Sequence, residues 1–110
     1  MRADADALMT IAIVAGTTEG GMGIQQLMRL QTLARHSPEF RQLHDISTYV
    51  CIMVGKTARE GKAAALRRST ATLTPGLREK AYAWALTMIS SEKTGNTFLN
   101  TLRRQLKIRH

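Results

Sequence analysis

"DALMTIAIVAGTTEGGM", residues 6–22, is the stretch on which the fold turns. From Ala7 to Gly16 it holds one polar residue, Thr10, and is about half the roughly 20 residues that a membrane-spanning helix needs. The segment is therefore read as a buried helix. Behind Asp6 as N-cap, Ala7, Leu8, Ile11, Ala12, Val14 and Ala15 cover most of a helix circumference, which predicts a central strut covered on nearly every side. Gly20, Gly21 and Gly23 end it, with Glu19 the lone carboxylate in the break.

The rest of the chain repeats the theme with one-sided helices. Ile24, Leu27, Met28 and Ala34, with Leu30 and Leu33 beside them, form the broad stripe of a second helix that Pro38 closes. Leu43, Ile46, Val50, Met53, Val54 and Thr57 recur at steps of three and four, placing a third helix from near Asp45. A fourth runs from about Gly61 to Leu73, with Leu66, Thr70 and Leu73 inward and Arg67 and Arg68 pointing elsewhere. "LTPGLREKAYAWALTMI", residues 73–89, carries the clearest start signal: Thr74 as N-cap and Pro75 at the first helical position. Leu77, Ala81, Trp84, Ala85 and Met88 trace its buried stripe, and a sixth helix from near Asn96 buries Phe98, Leu99, Leu102 and Leu106.

Composition agrees with this pattern. Hydrophobic residues are 44% of the 110 but aromatics only 5%, a mixture of Ala, Leu, Met and Ile that favours helix over strand. The expectation is one all-α domain over residues 1–110, a bundle of about six helices with no linker or low-complexity tract. Residues 8–22 set against 81–95 put Ile11 over Trp84, Ala12 over Ala85, Ile13 over Leu86 and Glu19 over Glu92, which suggests a pseudo-two-fold repeat. A single cysteine, Cys51, makes no intrachain bridge and points to a reducing compartment, the cytoplasm by default. Asp4 and Asp6 stand where a secretory leader carries positive charge, so a cleaved signal is not expected.

Candidate chemistry is sparse. "VGKT" at 54–57 resembles the end of a phosphate-binding loop, but Val50 stands where the first glycine belongs and the segment reads as helix, not as a turn after a strand. His44 and Cys51 lie seven residues apart on the polar side of helix 3, too far along it to share a metal, and Cys51 is read as a half-buried free thiol. Neither paired carboxylates nor a nucleophile with a base at workable spacing is present, so no enzymatic activity is expected. Sixteen Lys and Arg against eight Asp and Glu give a net charge of +8. Arg103, Arg104 and Lys107 share a sector of about 100° on helix 6 and form a basic face, an alternative binding surface for nucleic acid or anionic lipid.

Taken together, "DALMTIAIVAGTTEGGM", "RHSPEF" (residues 35–40) and "LTPGLREKAYAWAL" (73–86) resemble the tellurite-resistance TerB-like family, in which an apolar helix leads into an acidic loop twice. The resemblance covers residues 6–89 in order and spacing. It implies a small all-helical stress-response module of the bacterial cytoplasm, working near the inner membrane through protein partners. It also implies a divalent-metal role for Glu19 and Glu92. This chain departs from the pattern around both. Gln25 and Gln26 stand where further acids are expected, and Lys93 flanks Glu92, whereas hard cations want several oxygen ligands. Residual, weak metal binding is the most the loops predict, with Glu19 otherwise a solvated turn residue and no other cofactor expected.

Overall fold

The computed structural model describes residues 2–18, 23–89 and 92–107, with only the backbone described at residues 2 and 92–96. Six α-helices stand among the described residues: α1 (Arg2–Gly16), α2 (Ile24–Arg35), α3 (Ile46–Glu60), α4 (Lys62–Thr72), α5 (Pro75–Met88) and α6 (Glu92–Leu106). A single 3-10 turn, Pro38–Phe40, separates α2 from α3, and no strand occurs among the described residues. The radius of gyration is 12.6 Å, close to the roughly 13 Å of a compact domain this long. None of the described helices is long and apolar enough to cross a membrane.

α1 is the strut that its sequence predicts. Every residue from Ala7 to Thr17 is buried, and α3, α4 and α5 pack around it. Thr10 in the helix and Thr17 just past its end are both satisfied by helix carbonyls: Thr10 donates to the Asp6 carbonyl at 2.8 Å and Thr17 to the Ile13 carbonyl at 3.1 Å. The helix begins more than one turn earlier than expected, at Arg2, so Asp6 lies inside it and is not its N-cap. Free of that task, Asp6 Oδ1 accepts a 2.5 Å hydrogen bond from the Tyr49 hydroxyl of α3, while Asp4 Oδ1 accepts the Thr74 N–H at 3.2 Å. Two acids of α1 thus fasten two other helices.

The remaining starts follow local chemistry. Asp45 caps α3, taking the Thr48 hydroxyl at 2.7 Å and its N–H at 3.0 Å, and these two bonds hold its carboxyl below the ordinary 3.8. α3 passes to α4 through Gly61, whose φ of 94° is a conformation that L side chains rarely adopt. Across that joint Arg68 grips Glu60 through two hydrogen bonds of 2.8 Å. Thr74 occupies the N-cap of α5 with Pro75 behind it, although its side chain makes no capping bond.

Inward residues fall where spacing places them in α3 (Val50, Met53, Thr57), α4 (Leu66, Thr70, Leu73) and α5 (Ala81, Trp84, Ala85, Met88). Phe40 stacks on Trp84 at 5.7 Å and tilts against Tyr49 at the same distance, so the 3-10 turn drives an aromatic plug between α3 and α5. Other expectations fail: Leu43, Ile46, Val54 and Leu77 are only partly buried. α6 opens at Glu92 instead of near Asn96, Phe98 is only partly covered, and on α2 only Leu30 and Ala34 are buried.

Candidate functional site

α2 is the helix whose apolar residues the fold leaves over. Ile24 is 78% exposed and Met28 62%, the two most exposed of the large hydrophobic residues among those described. Steps of about 100° per residue put Ile24, Met28, Gln31 and Arg35 within a stripe of about 60°. Arg35 reaches back to the Gln31 amide oxygen at 3.5 Å, so the stripe reads apolar at its N-terminal end and basic at the other. On the far flank Arg29 donates to the Thr87 carbonyl of α5 at 3.4 Å, and Gln26 to the Gly16 carbonyl of α1 at 3.2 Å. The helix is thus held by its edges, by Leu30 and Ala34, and by partial cover over Leu27 and Leu33. Helical spacing alone placed Ile24 and Met28 in the core; the stripe it identified is wider than the surface that α3 and α5 offer to cover it.

The three basic residues expected on α6 differ in exposure. Arg104 and Lys107 are exposed, the first bonding only the Asn100 carbonyl at 3.4 Å and the second lying in the turn after the helix at φ 58°. Arg103 is partly buried instead. Its guanidinium lies 5.7 Å from the Tyr82 ring centroid and donates to the Tyr82 hydroxyl and to Asn100 Oδ1, both at 3.4 Å. Arg103 thus also joins α5 to α6, and nothing local in the sequence distinguished it from Arg104.

Both metal candidates lie outside the described residues: Glu19 altogether, Glu92 in its side chain. Among the described residues no group of three or more His, Cys, Asp or Glu is placed to hold a metal ion. The acids that do gather, Asp4, Asp6 and Glu39, line a cleft of about 530 Å³ beside the aromatic plug. Each has a partner of its own. Burial alone would raise the Glu39 carboxyl, but the Lys80 ammonium donating at 2.5 Å holds it below the ordinary 4.5.

The remaining motifs resolve plainly. "VGKT" lies within α3, where Thr57 is buried and donates to the Met53 carbonyl at 2.9 Å, so it forms no phosphate loop. Cys51 is exposed, not half-buried, and His44 precedes α3 instead of riding on it. No protein-family model matches the chain, and neither a curated protein nor a solved structure does.

Proposed function

We propose that the chain is a non-enzymatic, TerB-like helical module, its first and fifth helices related by an internal repeat. It works in a bacterial stress or tellurite-resistance-type system by holding a protein partner. The exposed apolar stripe of α2 carries this reading. Two large hydrophobic side chains on one helix face, left in water by a fold that buries their counterparts elsewhere, are explained by a surface that covers them. Arg35 at the end of the stripe and the net charge of +8 favour a partner whose groove is apolar and acid-rimmed. The proposed place of action is the cytoplasm, peripheral to the inner membrane, and any divalent cation kept near Glu19 and Glu92 is secondary and weakly held.

The test is capture from the native bacterial lysate, with the wild-type chain and an Ile24→Ser/Met28→Ser variant run in parallel. Both changes sit at exposed positions, so circular dichroism should show the same helix content in each. The expected result is one protein retained stoichiometrically by the wild type and lost by the variant. Equal retention by both would remove α2 from the account.

The alternative is an α6 face of Arg103, Arg104 and Lys107 that binds nucleic acid or anionic lipid, with Arg104 and Lys107 its exposed cations. Three phosphate contacts predict a salt slope of only about −3, which filter binding at two salt concentrations reads directly.

A further inference from the structure

A second cleft, of about 610 Å³, opens where the end of α1 meets the start of α4 and the flank of α6. Its size falls in the roughly 300–1,000 Å³ range of small-molecule sites. Val14, Leu66 and Phe98 supply its walls, the first two buried in the core and the third partly so. Ala63 and Thr97 stand exposed along it.

Two features among the described residues favour an anion at the mouth of this cleft. Lys62 lines it and donates to the Thr17 carbonyl at 2.5 Å. An ammonium carries three N–H donors, so that bond leaves two for a ligand. Lys62 is also the first residue of α4, an 11-residue helix whose N-cap is Gly61 and which has no side-chain cap. The first N–H groups of such a helix lack intrahelical partners and favour an anion. None of the described residues that line the cleft is acidic. Apolar walls that end in an ammonium and an uncapped helix start match one ligand chemistry: an acyl chain ending in a carboxylate.

We propose that this cleft binds a single-chain fatty carboxylate, with the chain along Val14, Leu66 and Phe98 and the head group at Lys62. The site lies apart from the α2 stripe and does not depend on it.

Dodecanoate, held below its micelle-forming concentration, is titrated into the full chain while amide ¹H–¹⁵N shifts are followed. Dodecanol and anionic phospholipid vesicles serve as parallel arms. The expected result is saturable, single-site shifts confined to residues 14–18, 62–66 and 97–99. Dodecanoate should bind about tenfold tighter than dodecanol, the ratio of one charge-assisted hydrogen bond. Lys62→Gln should lower that ratio markedly, leaving only what the start of α4 contributes. Ala63→Phe and Thr97→Phe, each placing a ring in the cleft from an exposed position, should each abolish binding while helix content stays unchanged. Shifts that spread without saturating would overturn the proposal. So would undiminished binding in whichever of the two filled variants folds, equal affinity for the alcohol, or response to vesicles alone.

Discussion

α1 and α2 are both apolar helices, separated by a glycine-rich break, yet the fold treats them oppositely. From Ala7 to Gly16 every residue of α1 is buried, whereas α2 buries Leu30 and Ala34 and leaves Ile24 and Met28 outside. Apolar content does not explain the difference. Neighbours do: α1 is enclosed by α3, α4 and α5, while α2 lies at the margin, against α3 and the ends of α1 and α5. Burial is decided by how much surface the other helices have to give, and what remains uncovered on α2 is available for use.

The sharpest way to break this comparison is one substitution made on both helices. Ile11→Ala should lower the unfolding free energy by about 2–5 kcal/mol, the cost of a cavity in a closed core. Ile24→Ala should move it by no more than about 0.5 kcal/mol, as expected of an exposed site. Urea unfolding of both variants beside the wild type reads the difference. Comparable losses would mean that α2 is packed in solution and its stripe is no free surface.

A smaller effect is expected where α1 holds its surroundings by polar contacts. Tyr49→Phe removes the hydroxyl that Asp6 accepts, and a hydrogen bond to a charged acceptor at a half-buried site predicts a loss of about 1.5 kcal/mol in the same assay. The same substitution at Tyr82, which joins α5 to α6 at the edge of the bundle, should cost less.

The smallest effect concerns the turn that follows α2. Glu39 has a folded-state pKa below 4.5, through Lys80 acting against burial, so its contribution is fully present above pH 4.5 and fades as the pH falls through the lowered value. Glu39→Gln should therefore be least stable relative to wild type near neutral pH, with the gap closing in acid. A gap that stays constant down to pH 3, well below the ordinary 4.5, would assign the effect to packing instead.

Much of the framework was legible in the residues themselves. Thr74–Pro75 marked the start of α5, and steps of three and four picked out Val50, Met53 and Thr57, because both signals are local to one helix. What escaped depends on separation in sequence. Asp6 meets Tyr49 across 43 residues, Asp4 meets Thr74 across 70, and Phe40 finds Trp84 only once the 3-10 turn is placed. Arg103 and Arg104 read alike until Tyr82 comes beneath one of them. The candidate surface escaped for the same reason. Ile24 and Met28 belong to a regular apolar stripe, and only the finite width of α3 and α5 strands them.

Native-state hydrogen exchange tests the central claim most directly, since it reports opening helix by helix in the free protein. The amides of Ile11 to Val14 are predicted to exchange only through global unfolding. Those of Leu27 and Met28 should open locally, at a distinctly lower free energy and with little dependence on denaturant. Exchange of both groups at the same free energy would contradict the division between a buried strut and a lightly held working face.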